Sequence, residues 1–204
     1  MVERLRAPHP TQPLEVDAGI VTLYHGFTSG SLNCIFSTKV RLLCEVCGLR
    51  YRIVDIDLLD KPAWFSEISP KLEVPVAYVE GKLIVDSAET IAVLKSLVLD
   101  KGQGNPGGAA FLHRESLLSA EAAGGTMGAF FGILCTPPGS EGEGVALEKF
   151  ESVLRKYEAV LGSEGPSGSG CEYLCGSAPG VADIEALPLV GLTLPLLELT
   201  HGWK

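Results

Sequence analysis

The chain has 204 residues, 46% of them hydrophobic, which suffices for a core without covalent staples, and its longest apolar runs are broken well before the roughly 20 residues that span a bilayer. A formal charge of −9 with no long block of like charge excludes a phosphate-binding surface, so neither nucleic acid nor an anionic membrane is an expected partner. The cysteines, Cys34, Cys44, Cys47, Cys135, Cys171 and Cys175, are expected as reduced thiols in the cytoplasm, because a chain of this size needs no disulfide framework and begins with no signal-peptide pattern.

Residues 1–19 mix Arg4 and Arg6 with Glu3, Glu15, Asp17 and prolines, without a serine, a poor transit-peptide composition. They are expected to form a flexible leader; plastid import is left open. Ile20 to Tyr24 is a short β-branched run, followed by a polar loop over His25 to Asn33 and by a helix over Cys34 to Cys47 that closes at Gly48. Tyr51 to Leu58 alternates as a second strand, parallel to the first because a helix joins them.

After a long connection, Val74 to Val79 and Lys82 to Val85 flank Glu80-Gly81, a two-residue hairpin signal. Asp86-Ser87-Ala88-Glu89 then has the form of a capping box opening a helix that ends near Leu99. The stretch from Asp100 to Gly108 has linker composition, and a linker is expected over 100–110. Helical patterns follow at Phe111 to Leu134, Val145 to Leu161 and Val181 to Leu199, an all-α half with no internal repeat. The expectation is therefore an α/β domain over 20–99 followed by an all-α domain over 111–204.

Cys34 stands where the loop after the first strand meets the helix. A thiol there faces unpaired backbone N–H groups and the positive end of the helix dipole, which favour thiolate. Ser37, three residues on, occupies the place of the second cysteine in a C-x-x-C dithiol, so the site is monothiol and must take its second thiol from a soluble partner. Cys44 and Cys47 also have C-x-x-C spacing, but lie inside the helix and read as packing residues, as do the other cysteines.

Val74-Pro75 places a proline where a central strand would exclude it, which a cis bond accounts for; the Val74 backbone can then pair with an extended peptide. Asp86 and Ser87 lie at a helix N-terminus suited to a carboxylate, and Lys61 offers an ammonium to another. The plainer alternatives involve no ligand: an apolar cap on the core at Cys34, an edge-strand proline, a simple helix cap and a solvated lysine.

These residues together resemble the cysteine-type glutathione transferases, above all the dehydroascorbate reductases of plants and algae. The family pattern C-P-F-S is matched by Cys34-Ile35-Phe36-Ser37, and D-K-P-x-W-F-x-x-I-S-P by Asp60 to Pro70. V-P-V is matched by Val74 to Val76, and D-S by Asp86-Ser87. More weakly, Tyr173 to Gly176, Val181 to Asp183 and Ala186 to Pro188 look like F-L-x-G, V-D and L-A-P, with Asp183 as the structural carboxylate of a capping motif in which Gly180 replaces the usual Ser or Thr. Two departures are Ile35 in place of proline and an end at Trp203-Lys204, short of the relatives' last helices.

The resemblance implies a glutathione transferase fold: a thioredoxin-like N-terminal domain and an all-α C-terminal domain, here shortened. It implies a monomer without a metal that uses glutathione as co-substrate to reduce a small oxidised acceptor such as dehydroascorbate. Lys61, Val74, Pro75, Asp86 and Ser87 would hold glutathione beside the nucleophile Cys34, which Asn33, Phe36 and Ser37 support. An omega-type thioltransferase or deglutathionylase, and a non-catalytic glutathione-binding protein of the chloride-intracellular-channel type, share much of the pattern.

Overall fold

A computed structural model describes residues 3–5, 19–28, 33–114, 116–117, 120–163 and 171–203. The chain divides into two compact units, Met1–Leu112 and His113–Lys204. The first unit is built on a five-stranded mixed sheet of order β1-β3-β2-β4-β5, where β1 is Glu3–Leu5, β2 Val21–Phe27, β3 Tyr51–Asp57, β4 Val76–Val79 and β5 Lys82–Ile84. β1, β3 and β2 run parallel, while β4 is antiparallel to β2 and β5 to β4. This is the thioredoxin-like arrangement.

The leader is thus not wholly free: Glu3–Leu5 pairs with Arg52 to Val54 of β3, and the remainder of 1–18 lies outside the described residues. A short run of backbone hydrogen bonds along an open edge needs little side-chain signal. β2 extends three residues past the expected strand, because His25, Gly26 and Phe27 keep register with Asp55, Ile56 and Asp57. Most residues of β2 and β3 are buried on both faces, so their apolar run is nearly continuous.

Helix α1 (Ile35–Cys47) follows β2 and ends at Gly48, whose φ of 66° is the left-handed geometry a closing glycine supplies. The single turn α2 (Phe65–Ile68) follows β3, and α1 with α3 (Ser87–Leu99) buries Val40, Leu43, Cys44, Cys47, Leu94 and Leu97. Each aliphatic side chain buried this way contributes about 1.5–3 kcal/mol. Glu80 and Gly81 both take positive φ, the turn that suits the β4–β5 hairpin.

The glycine-rich stretch 100–108 is pinned to the end of α1 rather than hanging free. Asn105 donates from its backbone N–H to the Cys47 carbonyl at 2.8 Å and from its side-chain amide to the Val46 carbonyl at 3.0 Å. A β-carbon on Gly104 would lie 2.2 Å from the Cys47 oxygen, so the glycine reflects close packing here rather than slack. Helix α4 (Pro106–His113) begins inside this stretch and is separate from α5 (Ala120–Leu134), correcting the single helix expected from Phe111 to Leu134.

In the second unit α5 packs on α6 (Glu143–Leu161) and on α7 (Val181–His201), around an edge-to-face pair of Phe130 and Phe150, 4.9 Å between centroids, extended by Trp203. The start of α7 is closed by Asp183, whose carboxylate accepts the N–H of Leu174 at 2.7 Å and of Gly180 at 2.8 Å. Gly180 is more than a weakened cap: a β-carbon there would lie 2.5 Å from the Cys175 sulfur, so Cys175 occupies the room a Ser or Thr would need. Burial raises the Cys175 pKa, partly offset by hydrogen bonds from the Ala182 and Asp183 N–H groups.

Candidate active site

Strand polarity collects the residues singled out above at one edge of the sheet. β2 and β3 are parallel, so their C-terminal ends, leading to Cys34 and to Lys61, share an edge. Tyr24 faces Val76 in the antiparallel β2–β4 pair, which brings Val74-Pro75, just before β4, to that edge. Ile84 faces Ala77, so β5 returns to it as well, and Asp86-Ser87 follow.

Cys34 is the N-cap of α1, partly exposed, in extended backbone geometry with no side-chain cap of its own. Its N–H donates to the Gly26 carbonyl at 2.9 Å, and its own carbonyl accepts from the N–H and hydroxyl of Thr38, each at 2.9 Å. The thiol therefore stands at the helix start with its backbone fixed from both sides. Asn33 is exposed and forms an isolated bridge with Phe27, and residues 29–32 lie outside the described set. Phe36 is half-buried, with the Lys39 ammonium 5.5 Å from its ring centre.

Ser37 is fully buried, and its hydroxyl accepts the Gly26 N–H at 3.2 Å. It ties α1 to β2 and offers nothing for thiol chemistry. Cys44 and Cys47 are both fully buried; burial, then the charges of Cys47 and Glu45, push the Cys44 thiol far up, and burial also raises Cys47 against the opposing Lys95 ammonium. Neither is available as a thiolate near neutral pH.

The connection from Asp60 to Pro70 explains its own composition. Phe65 is fully buried, and with Trp64, Ile68 and Val74 it packs on Tyr24, Val54, Ile56 and Val76. Tyr24, Trp64 and Phe65 form a ring cluster with centroids 6.0–6.4 Å apart. The buried Ser69 hydroxyl donates to the Glu73 carbonyl and accepts the Glu73 N–H, both at 2.9 Å, shaping the chain that enters Val74. The Val74–Pro75 bond is cis. Lys61, at the head of this segment, is half-buried and makes no ion pair among the described residues.

Asp86 caps α3: its carboxylate accepts the Glu89 N–H at 2.8 Å, and its carbonyl accepts the N–H and hydroxyl of Thr90. Ser87 opens the helix, half-buried. One residue at this edge escaped the sequence reading, Gly26. A β-carbon there would lie 2.5 Å from Val74 Cγ2, 2.9 Å from Leu58 Cδ2 and 3.1 Å from the Cys34 β-carbon. The sequence offers no signal for it, since His25 to Asn33 reads as loop and only pairing with β3 makes Gly26 a strand glycine, a mark of close backbone approach.

The fold and this edge define a thioredoxin-like domain with a single cysteine at its first helix start. Residues 33–97 match the family model described as "Glutathione S-transferase, N-terminal domain". The chain is 40% identical over 63 residues to "Glutathione S-transferase DHAR2" of Arabidopsis thaliana, covering 31% of this chain and 30% of that protein. It is 25% identical over 156 residues to "Probable glutathione S-transferase DHAR2, chloroplastic" of Oryza sativa subsp. japonica, covering 76% of this chain and 50% of that one. The alignments thus span half or less of these curated relatives' length. Among solved structures, Chlamydomonas reinhardtii dehydroascorbate reductase has the same fold, with a TM-score of 0.68 at 23% identity over 90% of this chain and 80% of that one. Among the described residues no helix is long and apolar enough to cross a membrane.

Proposed function

We propose that the chain is a glutathione-dependent reductase acting by thiol exchange at Cys34, with dehydroascorbate as its acceptor. The observation that carries this reading is a partly exposed thiol at the start of α1, with its C-x-x-S partner Ser37 buried and already bonded to Gly26. Such a site forms a mixed disulfide, and within the first unit the other thiols, Cys44 and Cys47, are buried further along α1 and cannot resolve it. Likeness to relatives named DHAR2, together with the fold shared with a dehydroascorbate reductase of solved structure, supports the choice of acceptor.

On this reading Lys61 meets one carboxylate of glutathione, the Val74 backbone pairs with its cysteinyl unit, and Asp86 with Ser87 holds the γ-glutamyl end. The Cys34 thiolate adds to a carbonyl carbon of dehydroascorbate. The thiolate of a first glutathione then attacks the Cys34 sulfur; the carbon–sulfur bond breaks, its electron pair and a proton complete ascorbate, and Cys34 is left in a disulfide with glutathione. A second glutathione displaces the first, releasing glutathione disulfide and the Cys34 thiolate. One dehydroascorbate is reduced while two thiols are oxidised.

The test is ascorbate absorbance with glutathione and dehydroascorbate. Turnover above the uncatalysed rate, with one glutathione disulfide per ascorbate, supports the proposal. Turnover of glutathionylated peptides alone selects a thioltransferase, and binding of glutathione with neither turnover selects a non-catalytic role.

Lys61→Ala and Asp86→Asn are each expected to weaken glutathione binding by about 1–3 kcal/mol, the scale of a charge-assisted hydrogen bond. Asparagine keeps the N-cap of α3, so the second change isolates charge from helix stability. Titration calorimetry measures both; unchanged affinity in the pair would remove glutathione from this edge.

A further inference from the structure

We infer that Gly26 is a positioning residue that sets the spacing between Cys34 and the Val74 backbone, an inference that rests on the proposed glutathione seat. Gly26 touches both sides of that seat. Its carbonyl accepts the Cys34 N–H at 2.9 Å and its N–H reaches Ser37 at 3.2 Å, so one peptide unit anchors the first turn of α1. In the other direction, the space where a β-carbon would stand is filled by Val74 Cγ2 at 2.5 Å and Leu58 Cδ2 at 2.9 Å, with the Cys34 β-carbon at 3.1 Å. The absent side chain therefore determines how closely Val74 approaches the cysteine.

A methyl at this position forces a response, since real β-carbons do not sit at 2.5 Å from another carbon. Val74 is β-branched, which restricts its χ1, and it packs on the Tyr24 and Phe65 cluster, so its side chain has little freedom to turn aside. The remaining route is a shift of the Val74 main chain away from Cys34. The Cys34 β-carbon, at 3.1 Å, need give by only a few tenths of an ångström, and the Gly26 backbone bonds to Cys34 and Ser37 hold the start of α1 near its place. The effect falls on the seat for the peptide and spares the thiol.

The experiment compares wild type, Gly26→Ala, and Gly26→Ala with Val74→Ala. It measures glutathione affinity by calorimetry, the rate of Cys34 alkylation by iodoacetamide read by peptide mass spectrometry, and the melting temperature. Gly26→Ala is expected to bind glutathione about tenfold more weakly, the scale of a sub-ångström to ångström displacement of a binding group, with alkylation within about twofold of wild type. Removing Val74 Cγ2 in the double variant is expected to restore most of the affinity. A merely structural glycine would lower the melting temperature and alkylation selectivity without rescue by Val74→Ala. Affinity unchanged by Gly26→Ala, or lost and not recovered in the double variant, overturns the inference alone. Wild-type protein that binds no glutathione overturns it together with the proposed seat.

Discussion

Cys34→Ser is expected to lower glutathione-dependent reduction by at least roughly a thousandfold while the protein stays folded, because a serine hydroxyl is not ionised at neutral pH and cannot form the mixed disulfide. The replacement keeps the volume nearly constant, and the backbone bonds joining residue 34 to Gly26 and Thr38 involve no sulfur. Ser37→Ala has the opposite profile. It leaves the buried Gly26 N–H without its acceptor, at a cost of about 1–3 kcal/mol in stability, yet turnover per folded molecule should change only a few-fold. Steady-state rates and thermal melts of the two variants separate these effects. Equal loss of turnover in both would show that the thiol is not the nucleophile.

The largest stability effect is expected at Asp183→Ala. One part-buried carboxylate accepts two backbone N–H groups and lies in the positive first turn of α7, a helix of 21 residues with no side chain at its N-cap Gly180. Removing it strands both donors and takes away the favourable charge. About 3 kcal/mol should be lost, or roughly 6–12 °C in melting temperature for a chain of this size. Glutathione affinity should stay near wild type if the second unit folds independently of the sheet edge. A loss under about 0.5 kcal/mol would mean that water replaces the carboxylate.

The βαβ start, the hairpin and the α3 cap were legible because each has a local signal: a helix boundary, a Glu-Gly turn and an Asx cap. The grouping of Cys34, Lys61, Val74 and Asp86, by contrast, came from likeness to a family. What escaped depends on tertiary approach. His25-Gly26-Phe27 reads as loop because polar and glycine residues interrupt the β-branched run, and only pairing with Asp55 to Asp57 makes it strand. Gly26 and Gly180 are small because Val74 and Cys175 come close, a fact with no trace at neighbouring positions. Asn105 looks like linker until its bonds to the end of α1 are seen. Ser37 was read as a vacant second thiol position, and its burial shows a structural duty in addition.

The central claim, a monothiol site at Cys34, is tested most directly by brief treatment of the reduced protein with oxidised glutathione, followed by peptide mapping in a mass spectrometer. The nearest thiols along α1, Cys44 and Cys47, are fully buried, and at about 1.5 Å of rise per residue they stand roughly 15–20 Å from Cys34, beyond disulfide reach. Cys34 should therefore carry glutathione first and keep it until a second glutathione is supplied. An internal disulfide that includes Cys34, or modification confined to the other cysteines, would contradict the account.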